Sequence, residues 1–186
     1  PAGLRTPRGT APKKFLIVHG VQSKPYQVAE AILGGAVVYN LPKDYPTLYS
    51  YDTVILANVD FMHTTWTQRR LLKDFVEAGG RLVVLGGIST LGNGAMRHTY
   101  LESLLPVKLN PSREVERLDE PALLGFAPNK PLADKPAVLW VHNVQFLPNA
   151  KPTLYAGGEP ITVESTFGRG CVIVFTGTVL GDFSNA

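Results

Sequence analysis

Residues 51–87 read YDTVILANVDFMHTTWTQRRLLKDFVEAGGRLVVLGG, and this stretch carries the expectation for the fold. Asp52-Thr53 lead into Val54-Ile55-Leu56-Ala57, a short β-branched run of the kind that forms a strand buried on both faces. Thr65 and Gln68 have the spacing of a capping box. Leu72, Phe75 and Val76 form one apolar stripe and Gly79-Gly80 close the segment, so a helix is predicted between these signals. Arg81 to Leu85 is the next strand. Strand, helix and strand joined by short loops predict right-handed βαβ units in a mainly parallel sheet.

Working outward, Phe15 to Val18 is another apolar run, stopping at His19-Gly20. A helix is predicted over Tyr26 to Leu33, capped by Gly34-Gly35, and a strand over Ala36 to Tyr39. Downstream, Ala95 to Leu105 has helical spacing (Met96, Tyr100, Leu101, Leu104) and is stopped by Pro106. Prolines at 111, 121, 128, 131 and 136 predict an irregular excursion from Val107 to Pro136, with a helical turn near Leu123. Ala137 to Phe146, Thr153 to Ala156, Ile161 to Thr166 and Cys171 to Thr176 read as four strands added in antiparallel fashion. The expectation is an α/β fold, a three-layer flavodoxin-like and mainly parallel sheet with an antiparallel C-terminal extension.

The chain has 186 residues, 45% of them hydrophobic and 18% charged, a balance that suits a single packed domain. Residues 1–14, rich in Pro, Gly and basic side chains, read as a flexible linker or tail, leaving one domain over 15–186. Eighteen Lys and Arg stand against fifteen Asp and Glu. Arg5, Arg8, Lys13 and Lys14 hold much of that excess, and no basic stripe follows, which argues against nucleic acid as a partner. The single cysteine, Cys171, excludes an internal disulfide and lies in an apolar run, where it is expected to be buried and inert. No run reaches the ~18 apolar residues of a membrane-spanning helix. The start at Pro1 and the ending GDFSNA carry the expectation of a piece from a longer protein, either cytoplasmic or secreted after loss of a signal segment.

YDTVILANVD, FVEAGGRLVVLGG and the later GEPITVESTFGRGCVIVFTGT together resemble the class I glutamine-amidotransferase-like superfamily, in particular its trehalose-utilisation-type and putative-amidotransferase branches. The resemblance covers roughly residues 15–180. It implies a flavodoxin-like sheet and, in active members, a strand-to-helix elbow bearing a cysteine. On that resemblance, Leu85-Gly86-Gly87-Ile88-Ser89 is the elbow, and Ile88 stands where the thiol is expected. The His and Glu of active members are also missing, since Phe175 is followed by Thr176-Gly177-Thr178-Val179. The implied reading is a noncatalytic amidotransferase-like module without glutaminase chemistry, giving a ligand-binding or interaction surface within a larger protein.

The candidate cleft gathers Asn58, Asp60, His63, Gly86, Gly87, Ile88 and Ser89 at predicted strand ends, where α/β sheets commonly place ligands. Ser89 is a substitute nucleophile with His98 or His19 as base, which keeps open a hydrolase-type enzyme at the sheet edge; a loop or cap serine is the plainer reading. His19, Asp60, His63 and His98 have no ligand-like spacing, so no metal is expected, and no cofactor motif is present. His142 reads as a sheet-face residue. Gly86-Gly87 with Gly92 and Gly94 could cradle an anion at a helix N-terminus or simply permit tight turns. Trp140, Tyr155 and Phe146 suit either a core or stacking on a sugar ring. The partners expected are a small molecule or carbohydrate and the other domains of a parent protein. A third reading is an interaction domain that forms homo-oligomers through the edge of the late strands.

Overall fold

The computed structural model describes residues 14–20, 35–110 and 114–178. The predicted helix at Tyr26–Leu33 and nearly all of the proposed tail lie outside these residues.

Eleven strands and two α-helices are found among the described residues. The first part of the chain holds β1 (Phe15–His19), β2 (Ala36–Val38), α1 (Tyr45–Tyr49), β3 (Thr53–Ala57), α2 (Trp66–Glu77) and β4 (Arg81–Gly86). The rest is β5 (Val107–Leu109), β6 (Val115–Gly125), β7 (Ala137–His142), β8 (Val144–Phe146), β9 (Lys151–Ala156), β10 (Glu159–Phe167) and β11 (Gly170–Thr178).

The capping box of α2 is complete. Thr65 Oγ1 accepts the Gln68 N–H at 3.2 Å, and Gln68 Oε1 accepts the Thr65 N–H at 2.9 Å. Leu71, Leu72, Phe75 and Val76 on one face of α2 are buried with Leu16, Val18, Val54, Leu56, Leu82, Val84, Val172 and Val174. These strand residues alternate along β1, β3, β4 and β11, as one face of a sheet requires. Gly79, at φ 108°, ends the helix, and Gly80 leaves room for the Phe75 ring, whose Cε1 a Cβ there would meet at 2.3 Å.

The sheet order is β10-β9-β6-β7-β11-β4-β3-β1-β2, with β10 also pairing β11. Strands β2, β1, β3, β4 and β11 are joined by four parallel ladders. The other six ladders are antiparallel. Because β10 pairs both β9 and β11, the strands β6, β7, β11, β10 and β9 close into a five-stranded barrel. Its interior is a separate apolar cluster of Val138, Ala156, Ile161 and Phe175, with Leu118, Leu124, Val141 and Leu154 packed against it.

This corrects the expected fold class. The molecule is mostly antiparallel β with a closed barrel, and a three-layer, flavodoxin-like, mainly parallel sheet does not describe it. The late strands do not extend a sheet edge; they close on one another through β11.

Three local readings also change. Prolines suggested an irregular excursion after Val107, yet β6 runs eleven residues straight through Pro121. A register shift between Arg117 and Ala122 absorbs the missing donor, as bulges in strands often do. The helix expected over Ala95–Leu105 is absent. Residues 87–101 form turns, followed by a single 3-10 turn at Glu102–Leu104, with Leu91, Ala95 and His98 at positive φ. The expected strand Ala137–Phe146 is two strands, since β8 leaves the barrel and pairs β5.

Candidate functional site

The C-terminal ends of β1, β2, β3 and β4 meet around a cleft of about 150 Å³. Within the parallel strands β2 lies on one side of β1 and β3 on the other, so chain connections diverge there and a crevice opens. Gly20 follows β1, Tyr39 to Leu41 follow β2, Asn58 to Asp60 follow β3, and Ser89 lies beyond β4; His63, Thr64 and Gln68 complete the wall.

Asn58 organises this wall. Its backbone sits at φ 54°, in the left-handed region that Asn tolerates better than most residues, and it is only 1% exposed. Its Oδ1 accepts the Ser89 N–H at 2.7 Å. That bond orients the amide. Two glycines make room for it. A Cβ on Gly87 would lie 2.6 Å from Asn58 Oδ1, and one on Gly20 would lie 2.0 Å from the Asn58 carbonyl oxygen.

Asp60 caps the 3-10 turn Phe61–His63, accepting the Met62 N–H at 2.8 Å, and its other oxygen lies 3.9 Å from His63 Nε2. Behind them Arg69 donates to Thr64 Oγ1 at 2.9 Å, to the Thr64 carbonyl at 3.0 Å and to the Phe61 carbonyl. This fixes the segment that carries His63. Gln68 is more than a cap, because its Nε2 donates to the Leu41 carbonyl at 2.6 Å and ties α2 to the loop after β2.

Of the sequence candidates, Asn58, Asp60, His63 and Ser89 line the cleft together, whereas Gly86, Gly87 and Ile88 do not. His19 is near, edge-on to Tyr39 with ring centroids 5.7 Å apart. Burial holds its imidazole below the usual histidine range. His98 is exposed beside Glu102, whose carboxylate accepts its backbone N–H at 2.6 Å. Ser89 Oγ makes no hydrogen bond to an imidazole among the described residues. No group of three or more His, Cys, Asp or Glu side chains that could hold a metal is found among them either.

The anion cradle is not formed. The N–H groups of Gly87, Ser89, Gly92 and Gly94 go to His142 Nε2, Asn58 Oδ1, Glu114 Oε1 and the Thr90 carbonyl, and no α-helix starts at Ala95. Phe146 packs on the main core, and Tyr155 lines a second cleft of about 260 Å³ on the barrel with Leu123 and Lys130. Cys171 is half-buried rather than fully buried.

Sequence reasoning passed over Tyr39, Asn40 and Gln68. It also passed over a buried pair behind the β4 loop. His142, read as a sheet-face residue, places Nδ1 3.4 Å from Glu114 Oε1, with both side chains almost wholly out of solvent. Neither residue stands in a motif, and the barrel that brings them together is a long-range feature.

No protein-family model matches the chain, and no curated protein matches it. Solved structures do. A cytoplasmic protein from Salmonella typhimurium is similar at a TM-score of 0.73 and 14% identity, over 92% of this chain and 89% of that one. A second, from strain LT2 of that organism, is similar at 0.72 and 16%, over 91% and 90%. A cold-adapted β-galactosidase from Rahnella sp. R3 is similar at 0.61 and 15%, over 90% of this chain but only 29% of that one.

At such identities the likeness is one of fold alone. None of these structures bears an amidotransferase name, and β4 ends in turns rather than in a strand-to-helix elbow. The resemblance to the glutamine-amidotransferase-like superfamily is corrected accordingly. What the chain shares with these proteins is its overall fold.

Proposed function

We propose that this chain is a noncatalytic binding module whose cleft holds a small, uncharged, hydroxyl-bearing ligand of about monosaccharide size. The observation that carries this reading is the polar wall of the cleft, in which the nearly buried Asn58, fixed to the Ser89 N–H through its Oδ1, holds the ends of β3 and β4 together. Around Asn58 stand Tyr39, Asn40, His63 and Ser89, a mixture of donors, acceptors and one ring face suited to hydroxyl groups.

Size and charge narrow the ligand. About 150 Å³ is below the ~300–1,000 Å³ of sites for drug-sized molecules, which favours one ring over an oligosaccharide. Among the described residues no Lys or Arg lines the cleft, and Asp60 brings a carboxylate, which disfavours phosphate esters. The module reading draws support from the β-galactosidase, in which a similar fold occupies under a third of a longer chain.

The test is saturation-transfer NMR with a panel of neutral monosaccharides and polyols, followed by titration of any that respond. Replacing Ser89 or His63 by Ala should weaken binding by roughly two- to tenfold, the effect of one lost hydrogen bond. Silence across the whole panel would overturn the reading. Because Ser89 and His63 share the cleft, an ester-hydrolase assay belongs beside it. Turnover abolished by Ser89→Ala would replace the binding module with a hydrolase.

A further inference from the structure

Glu114 and His142 take no part in the cleft, yet they grip the loop that forms its edge. Glu114, just before β6, accepts the Gly92 N–H through Oε1. His142, at the end of β7, lies with Nε2 3.1 Å from both the N–H nitrogen and the carbonyl oxygen of Gly87. The two residues thus hold both ends of the 87–92 loop from the barrel side. Between those ends lies Ser89, bound to Asn58. Glycine is required at three of the contacts: a Cβ on Gly92 would lie 2.1 Å from Glu114 Oε2, one on Gly87 would meet Asn58, and one on Gly86 would lie 3.0 Å from His142 Cδ2.

The chemistry of the imidazole makes this grip sensitive to protons. With a proton on Nδ1, facing Glu114 at 3.4 Å, Nε2 is an acceptor and takes the Gly87 N–H. Adding a second proton makes Nε2 a donor. It must then release the N–H and turn to the Gly87 carbonyl, already 3.1 Å away. We propose that Glu114 and His142 form a buried, proton-dependent clasp that exchanges one Gly87 hydrogen bond for another and so shifts the 87–92 edge of the cleft.

Among the described residues the charged group facing His142 is Glu114. Gly86 and Gly87 of the β4 end, Val115 of β6 and Gly177 beside β7 are neutral, and Glu116 of β6 is engaged by Asn143 Nδ2 at 2.8 Å. The consequence for binding rests on the cleft function proposed above. The movement of the loop does not, and it can be read without any ligand.

The experiment is a titration of the nitrogen-15-labelled chain from about pH 8 to about pH 5, the range in which histidines commonly change charge. It follows the amides of Gly87, Ser89 and Gly92 together with the ring nitrogens of His142. The expected result is an Nδ1–H tautomer at high pH and a Gly87 amide shift that tracks ring protonation. That shift should persist in His63→Ala and vanish in His142→Gln.

An Nε2–H tautomer at high pH, a Gly87 amide that stays fixed while the ring titrates, or a ring that never titrates in this range would each overturn the clasp. So would persistence of the Gly87 shift in His142→Gln. If that variant does not fold, the tautomer and the amide shift of the unaltered chain still decide. A sugar panel that fails while Gly87 still tracks His142 would remove the cleft function and leave the clasp standing.

Discussion

Asn58 Oδ1 accepts the backbone N–H of Ser89 at 2.7 Å, joining the turn after β3 to the turn after β4. Two adjacent parallel strands end in loops that would otherwise be independent. A single side chain makes them one wall, and it does so from a backbone conformation, φ 54°, that most residues avoid.

Replacing Asn58 separates these two effects. Asn58→Ala loses the bond, strands a part-buried N–H and keeps the unfavourable φ; Asn58→Gly loses the bond but adopts that φ freely. Both should be destabilised, by about 1–3 kcal/mol for the unsatisfied donor, with the alanine variant worse by about 1–2 kcal/mol. Urea unfolding measures both. An alanine variant as stable as the glycine variant would show that the conformation costs nothing.

Gly87→Ala tests the same wall from the opposite side. Its Cβ would lie 2.6 Å from Asn58 Oδ1, so the Asn side chain or the loop has to move, at about 1–3 kcal/mol. Combined with Asn58→Gly, the clash disappears because the offending atoms are gone. The double variant should therefore lose less than the sum of the single losses, by about 0.5–3 kcal/mol. Strict additivity in a double-mutant cycle would refute the contact.

What could be read in the sequence follows from the range of the interactions. Helix α2 declares itself through Thr65, Gln68 and Gly79, all within one short segment, and β1, β3 and β4 through runs of consecutive apolar residues. Asn58, Asp60, His63 and Ser89 were found because they follow such runs. The barrel was not legible, because it depends on Leu124 finding Ala156 and Thr162 finding Phe175 rather than on any local pattern. Pro121 actively misled, since a proline inside a strand is read as a break unless the bulge beside it is visible. The Glu114–His142 pair fails for the same reason as the barrel that creates it.

Core and surface aromatic residues should differ sharply. Phe75 is 0% exposed and meets Tyr49 edge-on at 5.8 Å, so Phe75→Ala should cost about 3–5 kcal/mol through lost burial and a cavity under the sheet. Trp66 is 55% exposed, with Arg70 over its ring at 5.5 Å and a 3.2 Å hydrogen bond to the Tyr100 hydroxyl. Its replacement by Ala should cost about 0.5–1 kcal/mol, the scale of an exposed cation–π contact. Thermal denaturation of the two variants in parallel tests the ranking, and equal losses would contradict the assignment of α2's buried face.

His19 sets an acid-side limit on stability. Burial disfavours its charged form, so its folded value lies below the ordinary 6.5. The unfolded chain therefore binds the proton first as pH falls. Stability is complete above 6.5 and declines as pH drops from there through the lower folded value. Replacing His19 by Asn should flatten the fall in urea midpoint across that window while leaving the decline at more acid pH. There Asp44 acts in the same sense, its carboxyl held below the ordinary 3.8 by the Thr47 backbone N–H and hydroxyl. A midpoint that rises as pH is lowered from 6.5, or one that falls equally in the Asn variant, would remove His19 from this role.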